Sequence, residues 1–323
     1  MKALAVFSGG LDSMLAATVM KAQGIDVLGL FFETPFFSSG RARCSARTIR
    51  LPLKVVDLTG PHLEVVKHPA HGYGGHMNPC IDCHALMLKT AGQMLESEKA
   101  NFIITGEVLG QRPMSQNLRA LSTVAAESGF RQLVLRPLSA KLLPPTLPEE
   151  KGWVRRDDLL AFSGRSRKPQ MELAGAFNIT EYPSPAGGCL LTDPVFSRRL
   201  KDLLSACPDC SVPQIELLKT GRHFRLGPQT KVVVGRNKKE NDQILSLAGK
   251  SDLLVMVSSI PGPLVLVTGD ISRQVETTSV ALALSYSDAR VGEEAEVKLL
   301  REGSERMERA SARPKSEFQS FMI

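Results

Sequence analysis

At 323 residues, 43% hydrophobic and 23% charged, the chain has the composition of an ordinary globular protein with length for two cores, which excludes a disordered or fibrous polypeptide. No apolar run reaches the length of a membrane span and the N-terminus leads straight into an apolar strand, so the expectation is no membrane contact, no secretory leader and a cytoplasmic location. A formal net charge of +7 and a pI near 9.1 suit a polyanionic partner. Six cysteines are too few for a disulfide scaffold; they fall as Cys80/Cys83 and Cys207/Cys210 with Cys44 and Cys189 apart, a pattern of metal or redox chemistry.

The first element is an apolar strand, Leu4-Ala5-Val6-Phe7, followed by the turn Ser8-Gly9-Gly10-Leu11-Asp12-Ser13 and a helix with Leu11, Leu15, Ala16, Val19 and Met20 on one side. Adjacent glycines let the backbone turn with its N–H groups inward, and the positive end of the helix points at the same place, so the turn is an anion site in outline. Ser8 and Ser13 add hydroxyls. Asp12 is costly beside phosphate unless it serves a Mg²⁺ or shapes the loop. The hexapeptide matches the SGGxDS signature of the PP-loop (N-type) ATP pyrophosphatases and lacks the lysine of GxxxxGK[ST]. The resemblance implies an α/β parallel-sheet domain of the adenine-nucleotide α-hydrolase type. It implies ATP and Mg²⁺ held by Ser8, Gly9, Gly10, Asp12 and Ser13, cleavage between the α and β phosphates, and a carbonyl oxygen activated as an adenylate.

A second strand, Asp26 to Phe32, is apolar enough to be buried on both faces of a parallel sheet. Ligands of such sheets sit beyond the carboxyl ends of the strands, which makes Phe31, Phe32 and Thr34 candidates to contact adenine. A third strand covers Lys54 to Asp57, and the Gly- and His-rich stretch 61–79 reads as a long active-site loop whose histidines (His62, His68, His71, His76) form no HxH or HxxxH pair. Asn78-Pro79-Cys80-Ile81-Asp82-Cys83-His84 then enters a helix. Thiols at a helix start are expected to have lowered pKa values. Asn-Pro-Cys-x-x-Cys resembles the tRNA 2-thiouridine synthases, in which Asn usually stands at the position of His84.

The strand Phe102 to Thr105 feeds Gly106-Glu107-Val108-Leu109-Gly110-Gln111, continuing to Ser115-Gln116. This resembles the TGE…GQ…SQ segment of the bacterial tRNA 4-thiouridine synthases and implies nucleotide contact by Thr105, Gly106 and Gln111. A helix over 119–128, a strand over 132–135, Arg136-Pro137-Leu138 and a short helix over 153–162 follow. Between Arg131 and Lys168 there are nine Lys/Arg against four Asp/Glu, whereas 206–323 holds sixteen against fifteen, so the basic surface belongs to the later half of the first domain. Arg165, Arg167 and Lys168 are the phosphate-contacting candidates there.

Tyr182 to Thr192 braces Cys189 with two prolines and two glycines, expensive geometry for a residue with only a packing role. With Cys80 and Cys83 it makes a catalytic three-cysteine set that could ligate a 4Fe-4S cluster, carry a persulfide beside a disulfide, or bind Zn²⁺ with a histidine. The open iron that three thiolates leave favours the cluster. Cys207 and Cys210 lie too far along the chain from Cys80 and Cys83 for a zinc ribbon and read as a linker pair. From Glu216 short strands alternate with turns, including Gly235-Arg236-Asn237-Lys238-Lys239-Glu240-Asn241 and Pro261-Gly262. That order resembles the NFACT-R RNA-binding domain, implying RNA contact by Arg236, Lys238 and Lys239, with a flexible charged tail beyond Glu302.

The expectation is therefore two domains, 1–205 of the PP-loop type and a smaller α/β domain over 206–323, together an ATP-dependent tRNA sulfurtransferase fed by a sulfur donor protein or sulfide. A PP-loop ligase acting on a small molecule, and an RNA-binding protein with structural ATP, stay open. Oligomeric state is not legible.

Overall fold

The computed structural model describes residues 1–184 and 189–323, and it divides into two compact units, Met1–Thr192 and Asp193–Ile323. The division precedes the expected 205/206 boundary because the helix Pro194–Ala206 is tied to residues that follow it. Arg199 donates to the carbonyls of Leu218 (2.9 Å) and Gly221 (3.0 Å), and Asp202 pairs with Arg225 and Lys231.

In the first unit β1 (Lys2–Val6), α1 (Leu11–Ala22), β2 (Asp26–Glu33), α2 (Gly40–Thr48), β3 (Leu53–Asp57) and α3 (Thr59–Lys67) are followed by α4 (Cys80–Gln93), β4 (Phe102–Thr105), α5 (Leu118–Glu127), β5 (Val134–Leu135), α6 (Leu147–Glu150) and α7 (Lys168–Ala176). The five strands form one parallel sheet in the order β3-β2-β1-β4-β5. Strand β1 is central because Ala3, Leu4 and Ala5 are buried on both faces. Leu11, Met14, Leu15, Ala42, Ala46 and Ala174 bring α1, α2 and α7 onto one face, and Leu88, Ala91 and Val124 bring α4 and α5 onto the other. Strand order reverses between β1 and β4, so the switch-point crevice opens where the Gly-rich turn leaves β1 and Gly106 leaves β4.

Three expectations change here. The 61–79 stretch is not all loop: α3 takes its first part, because His62, Leu63 and Val66 are buried on one side at helical spacing. The helix expected over 153–162 is only a 3₁₀ turn, Arg156–Asp158, and Trp153 packs into the core near Phe102 rather than facing a nucleic acid. Phe32 is likewise a core ring, 2% exposed among Leu4, Leu30 and Leu58, since the pleat turns it into the sheet's packed face instead of the crevice.

The second unit holds α8 (Pro194–Ala206), α9 (Val212–Leu217), β6 (Arg222–Arg225), β7 (Lys231–Val234), α10 (Lys238–Leu247), β8 (Leu253–Val257), β9 (Leu264–Thr268), α11 (Arg273–Ser285), β10 (Glu294–Arg301) and β11 (Ser304–Ser311). Its sheet is antiparallel, in the order β11-β10-β8-β9-β7-β6. Helix α11 covers one face through Val280, Leu282 and Leu284, while Leu217 of α9 and Ile244 of α10 pack on the other. The tail expected to be flexible is a β-hairpin followed by a 3₁₀ segment, Lys315–Phe321, anchored by buried Phe318 and by Ile323 N donating to His223 O at 3.0 Å. Its charges misled: the strands alternate, and Ala295, Val297 and Leu299 point inward between charged neighbours. Among the described residues no helix is long and apolar enough to cross a membrane.

Candidate active site

The turn after β1 is held from three sides. Ser13 Oγ donates to Gly10 O (2.8 Å), Gly10 N donates to Ser8 Oγ (3.3 Å), and Ser45 Oγ of α2 reaches across to Gly9 O (2.7 Å). Gly9 has φ +77°, and a Cβ there would meet Ala42 Cα at 2.6 Å, so both backbone conformation and space require glycine. A Cβ on Gly106 would lie 2.5 Å from Ser13 N, which shows how closely the β4 end abuts the start of α1.

Asp12 faces the polar groups gathered on this turn. Its Oδ2 accepts from Gln111 Nε2 at 3.0 Å, while Oδ1 is buried with no hydrogen-bond partner. Burial pushes the carboxyl up, against the Gln111 hydrogen bond and the nearby charges of Arg167 and Arg112. Arg167, placed ahead of α7, turns its buried Nε into this neighbourhood without a partner, and Gln170, 1% exposed, lies beside the Asp12 carboxyl and helps to lower its pKa although neither amide atom comes within hydrogen-bond distance of a partner; Gln111 Oε1 is likewise orphaned. Each such atom costs about 1–3 kcal/mol if left dry. A group of them on one Gly-rich turn suits a polar ligand, and the orphaned Asp12 oxygen suits a hard cation. Gln170 was missed in the sequence because one polar position in a short helix carries no signal. Arg167 thus stands beside Asp12, whereas Arg165 and Lys168 are exposed, the latter 3.9 Å from Glu172. Thr105 donates to Glu107 Oε2 (3.1 Å) and is buried.

Cys80 opens α4 and Cys83 lies one turn in; Cys189 is close enough that its charge would oppose ionisation of Cys83. The expected lowering of the thiol pKa values does not hold. Burial raises Cys80, raises Cys83 well above the ordinary value, and pushes Cys189 up to about 11; Arg112 only partly offsets this at Cys80 and Cys189. Desolvation of the thiolate outweighs the helix terminus. His62, from α3, contacts Cys83 Sγ through Nε2 at 3.2 Å beneath Phe36 and Phe37, and burial lowers it to about 4, leaving a neutral imidazole. Of the residues read as bracing Cys189, Pro185, Gly187 and Gly188 lie outside the described residues. Among the described residues, His71, Asp82 and Glu127 form a group of three possible ligands with donor atoms within 4.8 Å of one another. The three thiols are not such a group. As placed, their sulfurs do not all lie within 4.8 Å of one another.

Behind the thiols, Glu107 is fully enclosed. Burial would raise its carboxyl, but Arg136 and His84 more than compensate and bring it to about 2. Oε2 accepts from Arg136 Nε and Oε1 from His84 Nδ1, both at 2.8 Å.

In the second unit Arg236 is engaged with Glu240 (2.5 Å), while Lys238 and Lys239 are exposed and line, with Asp242, Gln243 and Ser246, a groove of about 590 Å³. Cys207 ends α8 and Cys210 is buried; neither is in a disulfide.

Comparisons with known proteins follow this division. Residues 1–141 match the family described as thiamine biosynthesis protein (ThiI), and residues 221–322 match the NFACT protein RNA binding domain. A probable tRNA sulfurtransferase of Thermoanaerobacter sp. (strain X514) is 29% identical over 146 residues, 42% of this chain and 36% of that protein. A tRNA-specific 2-thiouridylase of Karelsulcia muelleri is 28% identical over 34% of this chain and 32% of its own length. A crystal structure of a 4-thiouridine synthetase–RNA complex with bound ATP aligns with a TM-score of 0.38 and 23% identity, over 67% of this chain and 52% of that one. The chain spans about a third of the length of the curated relatives it matches. The first unit is thus similar over 1–141 to the ThiI family, and the second over 221–322 to the NFACT protein RNA binding domain.

Proposed function

We propose that the chain is an ATP-dependent tRNA sulfurtransferase of the thiouridine synthase kind, which adenylates a uridine carbonyl and replaces its oxygen with sulfur. The carrying observation is the cluster of buried, unpartnered polar atoms, Gln111 Oε1, Arg167 Nε and the Gln170 amide, around Asp12 Oδ1 of a complete SGGxDS turn. The backbone of Ser8 to Ser13 would bind the phosphates, Asp12 would hold Mg²⁺, and Arg167 would offset charge on the departing pyrophosphate. Similarity to sulfurtransferases over the first unit and to an RNA-binding domain over the second supports tRNA as the substrate. Arg165, Lys168, Lys238 and Lys239 are exposed cations available to its phosphates.

Cys80, Cys83 and Cys189 fit a 4Fe-4S cluster by their soft donor set and their enclosure in the fold. Such a cluster, when bound, supplies an open iron at which sulfur is held for transfer. Burial keeps the thiols protonated otherwise, so His62, neutral against Cys83, is a place for the proton released on ligation.

The test is incubation of the anaerobic protein with ATP, Mg²⁺, sulfide and bulk tRNA. Pyrophosphate and AMP should form only with tRNA, and digestion followed by mass spectrometry should show a thiolated uridine. Pyrophosphate release with small acids but not tRNA would move the assignment to a ligase. No AMP with any of these, while RNA still binds, would leave a binding protein.

A further inference from the structure

His84, near the start of α4, has its partner beyond the end of β4. Glu107 is the second residue past β4, directly after Gly106, whose Cα abuts the backbone of Asp12 and Ser13. Its carboxylate is ionised and can only accept, so the 2.8 Å contact to His84 Nδ1 fixes the hydrogen on Nδ1 and leaves the Nε2 lone pair outward. Arg136 and the Thr105 hydroxyl hold the other carboxylate oxygen, and Arg136 also donates to Leu121 O, so Glu107 has no freedom to reorient. His84 stands four residues after Cys80 and therefore on the same helix face, its side chain 31% exposed. Among the described residues Nε2 has no partner. An oriented, half-open imidazole backed by a buried carboxylate, next to the phosphate turn, is the arrangement of a general base.

We infer that His84, oriented by Glu107, is a catalytic base that removes the ring N–H proton of a lactam substrate as its carbonyl is adenylated. This rests on the adenylating role proposed above. The step balances within ATP and the substrate. The carbonyl oxygen bonds to the α phosphorus, the bond from that phosphorus to the bridging oxygen breaks, and its electron pair leaves with pyrophosphate. The proton on the adjacent nitrogen passes to Nε2, and its electron pair becomes the C=N bond of the adenylated ring. Without a base, attack by the lactam oxygen leaves a cationic, N-protonated imidate, because the N–H has nowhere to send its proton.

Single-turnover pyrophosphate release with ATP and tRNA tests it. His84→Asn should be about 10²–10⁴-fold slower with an unchanged KM for ATP, and added imidazole should restore much of the rate to His84→Ala. A His84→Ala protein that melts with the native one and gains nothing from imidazole overturns the inference, and a His84→Asn protein with the native rate overturns it as well, while the sulfurtransferase reading stands. If the native protein releases no pyrophosphate with tRNA, that reading falls and this inference with it.

Discussion

The two units treat buried polarity in opposite ways. In the second, charges are matched on the spot: Asp202 with Arg225 and Lys231, Arg236 with Glu240, and Arg273 and Arg306 with Glu276 and Glu308. Its orphaned atoms are one nitrogen each of Arg199 and His223, whose other nitrogens are bonded, and the hydroxyls of Thr220 and Ser279; no carboxylate is among them. In the first unit His62 Nδ1 and Gln116 Oε1 are orphaned elsewhere, but those of Gln111, Arg167 and Gln170 gather around the orphaned oxygen of Asp12. Paired charges stabilise a fold and leave only exposed lysines for a partner; orphans gathered in one place mark where stability has been given up for a ligand.

Substitution at Asp12 should break this contrast most sharply. Asp12→Ala removes a carboxylate that burial already disfavours, so the melting temperature should hold or rise while pyrophosphate release falls by about 10²–10³-fold, the scale of losing a preorganised electrostatic group. Loss of folding together with activity would mean that Asp12 is structural.

The thiols come next. Anaerobic protein should be brown and bleach in Cys80→Ala, Cys83→Ala and Cys189→Ala, but keep its colour in Cys207→Ala and Cys210→Ala. A colourless protein holding one zinc, released by the Cys207 change, would replace the cluster with a site built from both CxxC pairs.

Gln170→Leu sharpens the comparison from the stability side. The change keeps volume and removes two unsatisfied amide atoms, so the ligand-free protein should gain about 1–3 kcal/mol by denaturant unfolding, and ATP should bind more weakly. Lower stability with unchanged ATP affinity would show that the amide is bonded within the protein. In the second unit the Lys238→Ala/Lys239→Ala double variant should leave stability alone and reduce the salt slope of RNA binding by about 2, one per phosphate contact. Arg236→Ala, by contrast, strips the partner from the Glu240 carboxylate and should cost stability first. Equal salt slopes in the lysine variant and native protein would remove α10 from the interface.

What was readable beforehand followed chain-local rules. Most strands from β1 to β9 announce themselves as apolar runs, and Ser8 to Ser13 or Thr105 to Gln111 as short motifs, because each depends on neighbours in sequence. The misses depend on contacts across the chain. His62 meets Cys83 across 21 residues and Gln170 nears Asp12 from a far helix, and neither spacing has a pattern. Phe32 was misjudged because a strand end offers two faces and the sequence does not say which is packed. The thiol pKa values went the wrong way because a helix terminus is visible in sequence whereas burial is not.

The smallest expected effect is in His71, which belongs to the 61–79 stretch yet is the best-paired histidine in the first unit. Nδ1 lies 3.1 Å from Asp82 of α4 and Nε2 3.0 Å from Glu127 of α5, and the backbone N–H groups of Ala70 and His71 also donate to Asp82. Both ring nitrogens facing carboxylates calls for the protonated ring, and the hydrogen bond to Asp82 raises the pKa despite the opposing effect of burial, with help from Glu127. A folded-state pKa above the unfolded value means that the contribution is complete below the unfolded pKa, ordinarily about 6.5, and disappears as pH rises through the folded value. His71→Gln should therefore lower the melting temperature by a few degrees or less near pH 6 and make no difference near pH 9. The same deficit at both pH values would mean that the ring holds the stretch by packing and a neutral hydrogen bond, not by charge.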